Sequence, residues 1–368
     1  MGGITMIEIE RDKILDIYEN IIRKKTKNKE RIYKFDRYKM MNIDKVYKEL
    51  KNPHYDGGFY NIFLIKDPKY RIIMSLNIKD KLINHYITTY LLYPKLEKRL
   101  IDRNVATRKD KGRDYAIKIL KQDIEYLKRK EKFYILKIDI AKYFYSIDHN
   151  RLKEMLFEDL NDEDIYNYLS NIIDSTDKEY INQHIKDIKD KYKNIKSVQD
   201  IPYYEKGKGL PIGNYSSQFL SIYYLYKIDY KIVHTYRIKH YIRYMDDFIL
   251  MHEDKEYLKS VRSKLEQELL DIYKLKLNKK KTILSDSKTG FSFCGYRFRV
   301  INNKTIMNVS NSTKKRVTKR VKEIKYLLNN KKIEPSRAFT SVNTYYYGFK
   351  FGSVNKIRRI VNKNFYEK

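Results

Sequence analysis

Apolar residues recur at helical spacing along several stretches of the chain, and short aromatic and β-branched runs lie between them. The helical spacing predicts helices over residues 12–25, 80–100, 115–128, 217–236, 256–273 and 311–330. The shorter runs predict a β-hairpin at Tyr60–Leu76, a buried strand at Phe133–Ile140 and a strand-like segment around Tyr244–Asp247. Residues 151–200 are highly charged and mostly helical in pattern, which we interpret as a surface insertion, and Asp148 before them suits a helix N-cap.

Two adjacent acids, Asp246 and Asp247, interrupt one of the apolar runs, with residues 241–243 before Tyr244 and residues 248–251 after them. Neighbouring side chains of a strand point to opposite faces, so two adjacent carboxylates point apart unless the chain turns between them. Carboxylates near a core also lose their hydration. A tight turn would bring the two carboxylates together, and a divalent cation would replace the lost hydration. The alternative is a plain hairpin whose acidic tip is solvated.

A third acid, Asp139, lies near the end of the predicted strand at Phe133–Ile140. An acid that ends one buried strand can meet an acid pair on a later hairpin and form a site of three carboxylates. Mg²⁺ prefers such oxygen ligands, and two such ions about 3.5–4 Å apart hold the attacking and leaving oxygens of a phosphoryl transfer. The three acids therefore predict a site for two Mg²⁺ ions, with Mn²⁺ as a substitute.

With these acids in place, the chain resembles the reverse transcriptases of the palm-domain polymerase superfamily. The resemblance rests on several motifs in the expected order: Asp139 with Phe144, the loop and helix at 209–218, Tyr244–Asp247, the segment 277–282 and the hairpin at 291–296. Upstream, residues 69–73 and 104–109 resemble the fingers motifs of bacterial reverse transcriptases. Each motif alone is weak, but the ordered set covers roughly residues 65 to 300 and is specific.

The resemblance implies an α+β right-hand polymerase, with fingers, a palm of antiparallel sheet carrying helices on one face, and a short helical thumb. We expect fingers and an N-terminal extension in residues 1–132, the palm in 133–300 with the helical insertion at 151–200 and part of the fingers, and the thumb in 301–368. It also implies a reaction in which a primer 3′-hydroxyl attacks a deoxynucleoside triphosphate on an RNA template.

The resemblance further implies a role for individual residues. Asp139, Asp246 and Asp247 would bind the metals, and Lys281, beside Lys279 and Lys280, would donate a proton to the leaving pyrophosphate. The Ile140 carbonyl would bind the metal, and Phe144 would block the ribose 2′-hydroxyl. Lys69 and Arg71 would hold the triphosphate, and Arg108 would contact the template or the triphosphate. Ile212 and Gly213 would lie beside the nascent base pair, and Gln218 would hydrogen-bond the template strand or its neighbouring helix.

The middle motif narrows the resemblance. Many reverse transcriptases have Gln-Gly-x-x-x-Ser-Pro there, whereas this chain has Ile212, Gly213, Ser217 and Gln218 at the matching positions. This variant is similar to the enzymes of diversity-generating retroelements, which copy template adenines with errors, and to several antiphage reverse transcriptases. A thumb-like segment at 341–349 resembles the same groups, although Phe349 replaces the histidine that often follows the glycine.

The net charge of the chain indicates a polyanionic partner. Seventy-nine basic and 47 acidic residues give a net charge of +32, spread along the whole sequence. This distribution favours a long electropositive groove for template RNA and an RNA/DNA duplex. One cysteine excludes an intrachain disulfide, and no apolar run reaches the length of a membrane span. We expect a cytoplasmic bacterial enzyme that does not bind a membrane.

Three readings remain open at this level. The leading one is an RNA-directed DNA polymerase of a bacterial retroelement, which in the diversity-generating type needs its own template RNA and a small basic accessory protein. The second is an antiphage enzyme that makes DNA with a dedicated non-coding RNA or without a template, primed by a protein. The third, a non-catalytic RNA-binding splicing factor, needs neither the acid triad nor Phe144 and is disfavoured by both; Phe144 also disfavours an RNA-dependent RNA polymerase.

Overall fold

The protein is described from a computed structural model, which describes residues 8–52, 54–66, 69–130, 132–352 and 354–367. The α-helices are α1 Arg11–Ile17, α2 Arg23–Lys25, α3 Lys29–Asp36, α4 Lys39–Leu50, α5 Ile78–Tyr86, α6 Tyr93–Leu96, α7 Arg113–Leu127, α8 Tyr143–Ser146, α9 His149–Leu160, α10 Glu163–Asp174, α11 Glu179–Lys191, α12 Lys196–Gln199, α13 Tyr215–Tyr223, α14 Tyr226–Tyr230, α15 Lys255–Asp271, α16 Asn311–Asn329, α17 Pro335–Tyr347 and α18 Val354–Val361. Wider π-helical turns lie at Tyr18–Ile22, Ile87–Leu92, Lys231–Thr235 and Asn362–Tyr366, and short 3₁₀ turns at Glu97–Arg99 and Ser175–Asp177. The strands are β1 Tyr60–Lys66, β2 Tyr70–Leu76, β3 Tyr134–Asp139, β4 His240–Tyr244, β5 Asp247–His252, β6 Ile283–Asp286, β7 Phe291–Phe293, β8 Tyr296–Ile301 and β9 Lys304–Val309.

The chain folds into two compact units, each assembled from three separate segments. The first unit comprises Met1–Thr107, Ile140–Thr235 and Lys264–Leu277, and the second comprises Arg108–Asp139, Tyr236–Ser263 and Asn278–Lys368. Both units mix helix with antiparallel sheet, which confirms the predicted α+β class.

In the first unit, β1 and β2 form the predicted hairpin, with Tyr60 opposite Leu76 and Lys66 opposite Tyr70. Its buried residues Ile72 and Met74 share a core with Ile181 and Ile185 of α11. The expectation of a surface insertion at 151–200 was therefore wrong for α11, because one apolar face of this charged helix covers the hairpin. The high charge of the segment favoured a surface location, although Ile181 and Ile185, four residues apart, lie on the same face of the helix and pack inward.

The predicted helix at 217–236 is also interrupted. Helix α13 ends at Tyr223, α14 begins at Tyr226, and a π-helical turn follows at Lys231–Thr235. The tyrosines at the break are buried, and their hydroxyls donate hydrogen bonds to distant carbonyls, Tyr223 to Met155 and Tyr224 to Tyr273, each at 2.8 Å. The periodicity of apolar residues does not predict such hydrogen bonds between residues distant in sequence. By contrast, Asp148 caps α9 as predicted, accepting a hydrogen bond from the Arg151 amide at 2.9 Å.

The second unit contains two antiparallel sheets. One has the strand order β4-β5-β3-β6 and the other β7-β8-β9. The central strands β3 and β5 each bury four of their six residues, because apolar residues occupy both faces. Helix α16 in the same unit packs against α17 and α18 through Val317, Val321 and Ile324, which leaves its many lysines and arginines on the opposite face. In the part of the chain that the structure describes, no helix is long and apolar enough to cross a membrane.

The packing of α11 on the hairpin is testable by a single truncation. We expect Ile185→Ala to lower the free energy of unfolding by about 2–4 kcal/mol, because Ile185 is fully buried and its loss leaves a cavity. The neighbouring exposed residue provides the control, since Lys186→Ala removes a side chain that faces solvent. Urea denaturation followed by circular dichroism measures both, and equal midpoints for the two variants would contradict the packing.

Candidate active site

Two of the three predicted acids lie side by side on neighbouring strands of the second unit. Asp139 ends β3 and Asp247 begins β5, and the antiparallel register places them directly opposite each other. Side chains of directly opposed residues project to the same face of the sheet. Asp139 is only 5% exposed, so its carboxylate is largely removed from bulk water. The strands thus bring together two carboxylates that are separated by more than a hundred residues of sequence.

The third acid, Asp246, lies in the two-residue turn that joins β4 to β5. Tyr244 pairs with Asp247, so Met245 and Asp246 form the turn itself. Met245 has a φ of 57°, a left-handed conformation that is strained for a residue with a long side chain. The buried guanidinium of Arg243 donates a hydrogen bond to the Met245 carbonyl at 2.9 Å, which stabilises this turn. A tight turn therefore lies at the adjacent acids, as the sequence predicts.

Lys281 is held beside Asp139. Its ammonium donates hydrogen bonds to both carboxylate oxygens of Asp139, at 2.9 Å and 2.7 Å. The turn that carries it is fixed to β3, because the Asn278 amide donates to the Asp139 carbonyl at 2.8 Å, and the Asp139 amide donates to the Thr282 hydroxyl at 3.4 Å. Of the three consecutive lysines in this segment, the structure therefore brings Lys281 to the acid.

A second lysine, Lys137, was missed by the sequence reasoning. Its ammonium lies 3.2 Å from Asp247 Oδ1 and donates a hydrogen bond to the Ser292 carbonyl of β7 at 3.1 Å. Lys137 lies two residues before Asp139 on β3, and this strand alternation is the signal that could have placed both side chains on one face. Lys137 thus links the acid on β5 to the β7–β8 hairpin.

The turn of that hairpin carries the single cysteine. Cys294 adopts a φ of 47° between β7 and β8. Its burial, reinforced by the negative charge of Asp247, raises the pKa of the thiol to about 12. The side chain is therefore a neutral thiol at physiological pH.

Electrostatic crowding marks the acids as a cation site. Burial, then the negative charges of Asp247 and Asp139, raise the pKa of Asp246 to about 6. Asp247 Oδ1 is buried and accepts no hydrogen bond from the described residues, although Lys137 lies within ion-pair distance. An oxygen-preferring divalent cation would relieve both features, so the residues fit the predicted Mg²⁺.

The three acids do not place three ligand atoms within 4.8 Å of one another. Within the described ranges, the group that places three ligand atoms within 4.8 Å of one another is His149, Asp174 and Asp177 of the first unit, not the predicted triad. In that group both ring nitrogens of His149 already have partners, Asp174 Oδ1 at 3.1 Å and the Gly209 carbonyl at 2.7 Å.

The remaining predicted residues belong mostly to the first unit. Ile140 is buried and forms a bridge with Leu277. Phe144, in the short helix α8, is half-buried, and its carbonyl accepts a hydrogen bond from the Leu210 amide at 2.7 Å. This bond ties the first motif of the resemblance to the loop before α13.

The loop before α13 contacts β2 of the hairpin. The Met74 amide donates to the Ile212 carbonyl at 2.8 Å, and Gly213 has a φ of 121°. A Cβ added to Gly213 would lie 3.0 Å from a methyl group of Ile73 and 3.1 Å from the Met74 carbonyl. Close packing against β2 therefore favours glycine at position 213, in addition to the predicted approach of a base pair. Gln218, on α13, is half-buried.

The predicted triphosphate contacts are exposed cations. Lys69 directly precedes β2 and Arg71 lies within it opposite Ile65; both are exposed, while Arg108 in the second unit is half-buried. The roles assigned to these three residues, and to Ile140, Phe144, Ile212, Gly213 and Gln218, remain predictions, because the geometry locates each residue without its ligand.

An antiparallel sheet thus carries the three acids, with a lysine bound to one of them. A family model described as reverse transcriptase (RNA-dependent DNA polymerase) matches residues 65–298. This match covers more than half of the chain, and the chain therefore belongs to the reverse transcriptase family. The members of this family are nucleotidyltransferases that use divalent metals. A search of curated proteins finds no match.

Among solved structures, the chain is similar to yeast telomerases. The truncated apo telomerase of Candida tropicalis matches with 18% identity and a TM-score of 0.46 over 67% of this chain and 54% of that chain. The Candida albicans telomerase in complex with a fragment of telomeric RNA matches with 15% identity and a TM-score of 0.47 over 74% of this chain and 51% of that chain. The chain thus spans about half the length of these proteins.

The raised pKa of Asp246 predicts that the free energy of unfolding falls as the pH rises. Because the folded pKa of about 6 exceeds the ordinary value of 3.8, the contribution of Asp246 is fully present below pH 3.8 and is lost as the pH rises through about 6. We expect Asp246→Asn to be more stable than the wild type at pH 7.5 by on the order of 2–3 kcal/mol, and equally stable near pH 3.5.

Urea midpoints measured with EDTA present, across this pH range, check the expectation. Glu253→Gln is the matched control, because Glu253 is an exposed acid of the same unit and its substitution removes the same charge. Equal stability of Asp246→Asn and the wild type at pH 7.5 would show that the three acids do not repel one another in the fold.

Proposed function

We propose that the protein is an RNA-directed DNA polymerase that extends a primer 3′-hydroxyl with deoxynucleoside triphosphates on an RNA template. The observation that carries the proposal is the direct pairing of Asp139 with Asp247 beside the strained turn that holds Asp246. Two acids on adjacent strands and a third in the connecting turn suit a phosphoryl-transfer centre better than a stabilising role, because they lower the stability of the ligand-free fold. Membership of the reverse transcriptase family supports the same conclusion.

The chain would contribute charge and position to this reaction. Bound Mg²⁺ would supply activation of the 3′-hydroxyl and neutralisation of the leaving pyrophosphate. Asp139, Asp246 and Asp247 would hold it, and no covalent intermediate on the protein is needed. Lys281 neutralises Asp139 in the ligand-free protein. Once displaced from Asp139, its ammonium would be available as the proton donor for the pyrophosphate.

Nucleic acid would be held largely through its phosphates. The exposed face of α16 carries a dense set of basic residues, and the overall charge of +32 favours a polyanionic partner. These features support template RNA and an RNA/DNA duplex as partners. In this proposal residues 1–132 are an N-terminal extension and fingers, 133–300 the palm with part of the fingers, and 301–368 the thumb.

Primer extension tests the activity. Asp246→Ala with Asp247→Ala should lower incorporation of labelled deoxynucleotides on a primed RNA template by about a thousandfold or more, because the charge-stabilising centre is removed. The control is Glu253→Ala with Asp254→Ala, a second pair of adjacent acids that is exposed and lies just after β5. Loss of activity in the control, or full activity in the test variant, would contradict the assigned centre.

Phe144 predicts the choice of sugar. We expect Phe144→Ala to admit ribonucleotides, so the ratio of deoxynucleotide to ribonucleotide incorporation should fall by about tenfold to a hundredfold, as expected when a clash of 1–3 kcal/mol is removed. Phe157→Ala is the matched control, since it removes an exposed ring from α9. Single-nucleotide incorporation kinetics measure the ratio, and an unchanged ratio would assign the ring to packing alone.

We further propose that the enzyme is a bacterial, cytoplasmic retroelement polymerase of the diversity-generating type. Ile212 lacks the amide of the glutamine that many relatives have at this position, so control of the nascent base pair is looser. Such an enzyme would use a dedicated template RNA and a small basic accessory protein. Sequencing of extension products distinguishes the alternatives: errors concentrated at template adenines support this type, whereas synthesis without added template or primer supports the antiphage type.

A further inference from the structure

Helix α7 of the second unit forms one wall of an open groove. The groove has a volume of about 800 Å³ and runs between residues 114–129 and the segment Lys350–Phe351. This volume lies in the range of pockets that hold well-defined ligands. The predicted polymerase reaction assigns no role to these residues. We call this feature the α7 groove.

Three cations of the groove form no close ion pair. Lys118 and Lys121 on α7, and Arg129 just after it, are exposed, and among the described residues none of the three has an acid within ion-pair distance. The two acids of the groove are already neutralised: Lys350 lies 3.2 Å from Asp114, and Lys128 forms an ion pair with Glu125. The unpaired charge of the groove is therefore positive.

Aromatic rings lie among these cations and are held in place. Tyr126 is 54% exposed, and its ring lies 5.1 Å from that of His240, which in turn contacts Asp123 at 3.0 Å. On the opposite wall, Phe351 packs against Tyr296 with ring centroids 6.4 Å apart. A third ring, Tyr115, lies one turn before Lys118. Rings that are fixed before binding lose little entropy when a ligand stacks on them.

We propose that the α7 groove binds a short segment of single-stranded nucleic acid. Cations along a helix pair with successive phosphates, and exposed rings stack on bases whose faces are free. Lys118 and Lys121 lie about one turn apart on α7, and Arg129 lies just after the end of the helix, so the three cations are spread along the groove. A duplex would use only the cations, because its bases are already stacked on one another, whereas a single strand would use both cations and rings.

The proposal goes beyond the polymerase reaction, because it needs none of the three acids. It gives the enzyme a place to hold a template or product strand that is not paired. An acidic peptide would satisfy the cations but would leave the rings without stacking partners, so the aromatic lining favours nucleic acid.

Binding of a fluorescent oligothymidylate to the full chain, measured by anisotropy across a salt series, tests the charges. Lys118→Gln with Lys121→Gln and Arg129→Gln should reduce the magnitude of the slope of log affinity against log salt by about 2, at about 0.7 for each phosphate contact of a single strand. The control is Lys255→Gln with Lys259→Gln and Lys288→Gln, three exposed lysines of the same unit that lie outside the groove and remove the same charge. An equal change in both variants would attribute binding to diffuse charge and would overturn the proposal.

The rings are tested by a matched pair of variants. Tyr126→Ala should weaken oligothymidylate binding roughly fivefold to a hundredfold, whereas Tyr126→Phe should bind as the wild type does, because the stacking face remains. Photo-crosslinking of a bromodeoxyuridine-substituted strand should label peptides that contain residues 113–129 or 350–351. Crosslinks confined to other peptides, or equal competition by polyglutamate of matched charge, would overturn the proposal.

Primer extension on a short primed template with only a few unpaired nucleotides beyond the primer, run in parallel, separates this proposal from the polymerase assignment. If the groove variant extends the primer but loses the single strand, both proposals hold. If the wild type extends nothing while its single-strand binding still depends on Tyr126, the groove assignment stands and the polymerase assignment fails.

Discussion

Mutual repulsion among three carboxylates is the constraint on which the second unit depends. Asp139 and Asp247 are opposed across two buried strands, and Asp246 lies in the turn before Asp247, where burial and then the neighbouring charges raise its pKa. Two lysines offset part of this repulsion, Lys281 on Asp139 and Lys137 on Asp247. The sheet thus keeps a concentration of negative charge that the fold alone would not favour, and a divalent cation is the ligand that such a concentration attracts.

The same lysines determine how the site is connected to the rest of the unit. Lys281 comes from a turn whose backbone is hydrogen-bonded to β3, and Lys137 reaches a carbonyl of β7. Each carboxylate is therefore linked through its counter-ion to a different neighbouring element. Loss of one lysine would leave an acid uncompensated and would also release a connection between elements, so effects on charge and on position are coupled at this site.

Much of this arrangement could be predicted from the sequence. The strands β3 and β5 were predicted because aromatic and β-branched runs indicate buried strands, and the adjacent acids predicted the turn between β4 and β5. The choice of Lys281 among three consecutive lysines could not be fixed from the sequence, because it depends on hydrogen bonds between the Asn278–Thr282 turn and β3. The packing of α11 and the break after Tyr223 were missed for a related reason: both depend on contacts between residues distant in sequence, which composition and periodicity do not record.

The state of Cys294 has a practical consequence for studying the enzyme. It is the sole cysteine of the chain, and its thiol, with a pKa of about 12, carries almost no thiolate at the pH of ordinary labelling reactions. Maleimides and similar reagents should therefore spare the native protein. A cysteine introduced at an exposed position would be the main site of attachment for a fluorophore or spin label, without prior removal of the native residue. The fold thus provides a chemically silent background for distance measurements between its two units.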